Sequence, residues 1–156
     1  MASALTTAVL SQEMKVEIWD HDPGTTAALV ASADGGTTDY YLDMRDYDAC
    51  MFLVNPSVLT GTGVTLVELC AADDTSGTNL TVVVSSGAVV ADTILDYVMV
   101  ECTAAQIGQL SGAGGYDLRY ATVRITMQNS ADEAKVTAIA GKAKAAQSGL
   151  TATYIS

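Results

Sequence analysis

The chain has 156 residues, with seven Lys and Arg against eighteen Asp and Glu, a formal charge of −11. That length suits one domain burying roughly 68–70% of its unfolded surface, and that charge repels phosphate backbones and anionic bilayers, which argues against nucleic-acid and membrane partners. Hydrophobic residues reach 49% with one Phe and one Trp, and charged residues only 16%, a composition for thin Ala/Val/Thr layers rather than a large cofactor pocket or a disordered acidic tail.

Residues 1–13 are small, hydroxyl-rich and weakly apolar, with Leu5, Val9 and Leu10 at roughly helical spacing but no cap. They read as an N-terminal arm whose apolar members need a neighbouring surface to bury them. The start has no basic region and is not read as a signal peptide; synthesis in the cytoplasm is expected from Cys50, Cys70 and Cys102, whose pattern favours reduced thiols. Residues 14–156 read as a single domain. Met14 to Ile18 alternates, with Met14, Val16 and Ile18 on one face of a first strand. Trp19 closes it, either as a core-rim residue or as an interface anchor, before the turn Asp20-His21-Asp22-Pro23-Gly24.

Thr26–Ala33 and Thr37–Met44 flank Asp34-Gly35-Gly36 and predict a hairpin. The apolar runs Cys50–Val54 and Val64–Cys70, joined through Asn55-Pro56 and Gly61-Thr62-Gly63, predict a second, buried hairpin at the centre of the fold. Leu80–Val84 and Tyr97–Cys102 are further strands, while Ser85–Leu95 is ambiguous. Thr103–Leu110 suits one or two helical turns, ended by Ser111-Gly112-Ala113-Gly114-Gly115. Ala121, Val123, Ile125 and Met127 alternate with Thr122, Arg124, Thr126 and Gln128, one buried face and one wet face. Ala134–Ala146 has the composition of a helix and the period of a strand, and Leu150–Ile155 is a final strand. Eight to ten short strands with almost no helix give an all-β class, an antiparallel, jelly-roll-like β-sandwich.

Cys50, Cys70 and Cys102 are odd in number, widely spaced and apolar in setting, which favours buried reduced thiols. His21, the one histidine, lies between two acids whose side chains alternate along a strand end and do not converge, so a solvent-exposed turn is expected rather than a metal or a general base. Asp73–Asn79 fails the calcium-loop pattern, with Thr75 and Gly77 at the third and fifth positions, and reads as a turn. The Gly112–Gly115 run lacks the Lys-Ser or Lys-Thr of a phosphate cradle. No catalytic, cofactor-binding or metal-ligating set is found, and an enzyme is not expected.

Asp43-Met44-Arg45-Asp46-Tyr47-Asp48, an apolar strand, Gly61-Thr62-Gly63, Val64 to Leu69, and Asp73-Asp74-Thr75-Ser76-Gly77 form a succession. With Tyr116–Met127 it resembles small virion proteins encoded among the head genes of tailed bacteriophages, over roughly residues 40–128. The resemblance implies a non-enzymatic decoration, or cement, protein on the capsid exterior. Its implied partners are the major capsid protein and further copies of itself, often as a trimer; the arm residues Leu5, Val9 and Leu10, with Trp19, are the candidates for assembly contacts read from the residues themselves. A tail or head–tail completion protein and a carbohydrate-binding sandwich are the alternatives.

Overall fold

The computed structural model describes residues 14–21, 26–29, 40–141 and 153–155. Among the described residues ten strands form a two-layer antiparallel sandwich, the expected class. They are β1 (Met14–His21), β2 (Ala27–Leu29), β3 (Leu42–Asp43), β4 (Ala49–Val58), β5 (Val64–Ala72), β6 (Thr81–Ser85), β7 (Tyr97–Thr103), β8 (Tyr120–Met127), β9 (Glu133–Gly141) and β10 (Thr153–Ile155). The first sheet has the order β1-β9-β4-β7-β10 and the second β2-β8-β5-β6, with β3 also on β8. The Ala134–Ala146 ambiguity resolves as strand through Gly141.

The sheets meet through alternate residues. From the first come Trp19, Phe52, Val54, Val98, Val100, Val136, Ala138 and Ala140, and from the second Val67, Leu69, Ala71, Ala121, Val123 and Ile125, all buried. Alanines on β9 leave room for the large rings beside them: Trp19 stacks on Tyr40 with centroids 5.3 Å apart and lies 5.6 Å from Phe52. Trp19 is 2% exposed. Of its two readings the core one describes its place, and burial withdraws it from the assembly contacts; Leu5, Val9 and Leu10 lie outside the described residues.

The predicted central hairpin does not form, and the turn of the other, Asp34-Gly35-Gly36, lies outside the described residues. β4 is central in the first sheet and β5 central in the second, so residues 59–63 are an arch between layers. Each strand already has two neighbours in its own sheet, β9 and β7 for β4, β8 and β6 for β5. β2 and β3 likewise both pair with β8, at Thr126–Arg124 and Ala121–Tyr120, rather than with each other.

A second arch, residues 128–132, joins β8 to β9, and the two arches are bonded together. The buried Asp132 carboxylate accepts hydrogen bonds from Thr60 N (2.5 Å), Thr60 Oγ1 (2.9 Å), Gly61 N (3.0 Å) and Asn129 N (3.3 Å). Gln128 adds two links, its Oε1 accepting from Thr62 N (2.9 Å) and its N donating to Gly63 O (2.9 Å). Gly63 has φ +67, and a Cβ there would stand 2.2 Å from the Ala91 carbonyl oxygen. Only glycine fits, because φ is left-handed and the Val64–Ala91 bridge occupies the space.

The Thr103 region makes more helix than its glycines suggest. α1 (Ala104–Gly114) runs eleven residues behind a capping box in which Thr103 and Gln106 bond reciprocally, and ends at Gly115 in the left-handed region. Ile107 anchors it in the core. Gly112 and Gly114 lie inside the helix, where the cap and Ile107 outweigh their low propensity.

All three cysteines are free and buried. Cys50 and Cys102 face each other across β4 and β7 with Sγ atoms 3.6 Å apart, whereas Cys70 lies outside the core cluster, on the outer side of the second sheet opposite Thr122. The hydrogen bond with Cys102 and burial push the Cys50 thiol well up, and burial pushes Cys70 up to about 11. Native protein is therefore expected to resist alkylation at neutral pH and to take up three labels per chain on unfolding, counted by intact mass.

Burial opposes ionisation of Asp132, but its donors together outweigh this and hold the carboxyl below the usual aspartate range. A depressed folded value stabilises above the unfolded value, near 3.9, and the contribution disappears as pH falls through the folded one. Asp132→Asn is expected to cost ~2 kcal/mol at pH 7 and to flatten the loss of stability below about pH 4, read from urea unfolding followed by Trp19 fluorescence. Gly63→Ala is expected to cost at least ~2 kcal/mol by the same assay.

Candidate functional site

The surface feature that stands apart is the outer side of the first sheet. Pairing registers place its side chains in three rows: Met14, Gly141, Ala49 and Thr103; Val16, Ile139, Met51 and Glu101; Ile18, Thr137, Leu53 and Met99. Met14, Val16 and Ile18 are 42%, 57% and 71% exposed. The predicted alternation of the first strand is present but turned over: its apolar face meets solvent, while Lys15, Glu17, Trp19 and His21 face the other way. This orientation buries Trp19, which stacks on Tyr40 and packs against Phe52, and leaves the three aliphatic chains outward.

Four strands at ~4.8 Å spacing and the five residues of β1 from Met14 to Ile18 at ~3.4 Å give these three rows a footprint of roughly 330 Å². That lies at the lower end of the largest apolar patches left on monomers, which are often functional. Its fourth row is polar: Asp20 and Lys135 form an ion pair at 3.2 Å, beside Asn55 and Tyr97. On a chain of net charge −11 this is a face where acid is sparse, with Asp20 paired and Glu101 half-buried.

The turn 92–96 stands at the same end. Asp96 Oδ2 accepts from Asp92 N and Thr93 N, both at 3.1 Å, and Asn55 Nδ2 donates to the Asp96 carbonyl at 2.8 Å. These bonds fix a tip on which Ile94 is 64% and Leu95 84% exposed. Ser85–Leu95, ambiguous in sequence, thus resolves as the end of β6, an irregular run along β5 and this capped turn.

The residues tested for chemistry go elsewhere. His21 is buried, 1% exposed, against the expectation of an exposed turn, because β1 continues to it and the strand alternation carries it inward with Trp19. It lines a cleft of about 410 Å³ with Asp20, Ser57, Val58, Glu133, Ala134 and Lys135. A serine, a histidine and two acids around one cleft invite a hydrolytic reading, but a ring with 1% exposure offers no face to a substrate, and Asp20 is engaged by Lys135. Among the described residues no group of three His, Cys, Asp or Glu is placed to hold a metal ion.

The Asp73–Asn79 segment is a self-capped turn. Asp74 Oδ1 accepts from Ser76 N (2.9 Å) and Thr78 N (3.1 Å), its Oδ2 from Thr78 Oγ1 (2.7 Å), and Asp73 from Asn79 Nδ2 (2.6 Å). The Thr78 hydroxyl, with backbone donors, holds the Asp74 carboxyl low. Arg45 pairs with Asp43 at 2.5 Å rather than with Asp46 or Asp48, and Arg119 reaches the same carboxylate at 3.4 Å. With Trp19 in the core, a sugar-binding platform loses its tryptophan; Tyr116 is the aromatic left exposed among the described residues, at 44%.

Comparison with protein-family models, with curated proteins and with solved structures finds no match. Function therefore rests on the residues themselves. If the outer face is an assembly surface rather than part of the folded core, Ile18→Thr is expected to change unfolding free energy by no more than ~0.5 kcal/mol. Phe52→Ala, directed inward from the same sheet, is expected to cost ~3–5 kcal/mol.

Proposed function

We propose that this chain is a non-enzymatic structural component of a virus particle, a decoration protein that binds the capsid exterior of a tailed bacteriophage and stabilises the shell as an oligomer. The observation that carries the reading is the apolar outer face of the first sheet, with the rigid Ile94–Leu95 tip at its end. A small, acidic, β-rich body that leaves such a face in water is built to be covered by another protein. The acidic remainder suits a position outside the shell, away from the packaged nucleic acid. Clamping follows from mass action: a protein that binds the assembled lattice and not its dissociated subunits adds stability at each site in proportion to the logarithm of one plus its free concentration over its Kd.

The resemblance over residues 40–128 supports the same role. Purified protein mixed with undecorated phage capsids is expected to co-sediment with them and to raise their disruption temperature. Ile18→Asp combined with Leu95→Asp is expected to abolish both effects while leaving the fold intact by circular dichroism. Shells that neither bind the protein nor gain heat resistance would overturn the proposal.

A further inference from the structure

The rows of the outer face end at β1, which among the described residues pairs only with β9, through an unbroken register from Met14↔Gly141 to His21↔Ala134. An unbulged eight-residue strand at a sheet edge is a template for another strand. Its inward side carries Lys15 and Glu17, joined at 2.7 Å, with side chains 40% and 33% exposed. Inward charge on an edge strand commonly blocks pairing, because an added strand would bring it against apolar or like-charged neighbours. Here two opposite charges lie two residues apart, on either side of Val16, and that order changes the outcome for one partner.

We propose that the partner of β1 is β1 of a second copy, paired antiparallel about a two-fold axis through Val16. In that register Lys15 stands opposite the second copy's Glu17 and Glu17 opposite its Lys15, so the two intrachain ion pairs join in a ring of four alternating charges. On the outer side Met14 stands opposite the second copy's Ile18, and Val16 opposite its own equivalent, the close cross-strand pairing that apolar chains favour. A parallel arrangement puts like charges opposite each other. Antiparallel registers two residues to either side put Glu17 opposite Glu17 or Lys15 opposite Lys15, and one four residues away puts Ile18 opposite Ile18 with Lys15 opposite His21 and Val16 opposite Asp20. The Lys-Val-Glu order thus selects one register, and an isologous one, which closes as a dimer instead of growing into a fibre.

The same pairing resolves a shortfall of area. The outer face, at roughly 330 Å², is under half of one partner's ~800 Å² share of a standard interface. Two copies joined along β1 make one continuous ten-stranded sheet and bring their outer faces side by side, doubling the apolar platform. This deepens the assembly reading of that face and rests on it. Self-association is measured on the free protein, so its failure is distinguishable from failure to bind shells.

The test is native mass spectrometry and sedimentation of the full chain at concentrations up to the order of 100 µM. The wild type is expected as a dimer of about twice its 16.1 kDa mass. K15E alone and E17K alone each place like charges across the seam and are expected to weaken dimerisation about tenfold or more. An equimolar mixture of the two variants is expected to restore it as a heterodimer, since one chain then presents two carboxylates and the other two ammonium groups. V16K, on the axis, is expected to give a folded monomer, and it decides the matter should either charge variant fold poorly by near-ultraviolet dichroism of Trp19. A monomeric wild type, a trimer, undiminished dimerisation of the single variants, or no recovery on mixing would overturn the proposal.

Discussion

The sandwich depends on a carboxylate that never meets solvent. Two arches carry the chain from one sheet to the other, and Asp132, at the end of one, takes three hydrogen bonds from the other, at Thr60 and Gly61. Without it the two arches lose the bonds that tie them together, at a cost of the order of a few well-formed hydrogen bonds. Gly63 and the Val64–Ala91 bridge finish the crossing. With the arches tied, the layers can share one core between Phe52 and the Val67–Leu69–Ala71 face, and the outer sides of both sheets are free to take other duties.

Much of this was legible in the amino-acid order. Alternation in Ala121–Met127 marks an inward face that is buried as expected, Asp73–Asn79 folds as a turn, and the spacing of apolar runs announces a β-sandwich. Connectivity was not. The runs Cys50–Val54 and Val64–Cys70, with a Gly turn between them, look the same whether they pair in a hairpin or arch between sheets, because a strand central in either sheet is apolar on its inner face and tolerant on the other. The difference lies in Asp132, some seventy residues away, and no local pattern reports it. The helix α1 was underestimated for a related reason: the capping box at Thr103 and Gln106 and the seat of Ile107 outweigh three glycines that score badly one at a time.

The candidate site shows the limit most plainly. Met14, Val16 and Ile18 are a regular apolar face, and such a face normally points into the core. In β1 it points out, since the strand ends in Trp19, whose ring stacks on Tyr40 and packs against Phe52. Alternation tells which residues share a side; only the core tells which side is in. The conflict between three exposed aliphatic chains and one buried indole is a local inconsistency of the kind natural sequences keep where function requires it.

The place of β9 has a consequence for how the molecule is made. β9 lies between β1 and β4, so the strand that begins at Met14 meets its neighbour only when residues 133–141 exist. A chain emerging at roughly 5–20 residues per second leaves β1 and one edge of β4 unmatched for several seconds, and no contact between early strands can substitute. The first sheet is therefore completed by insertion of a late strand between two early ones. Its assembly is governed by the slow closure of long loops, and in that interval the apolar rows later shown to solvent and the rows later buried in the core are equally available to other chains.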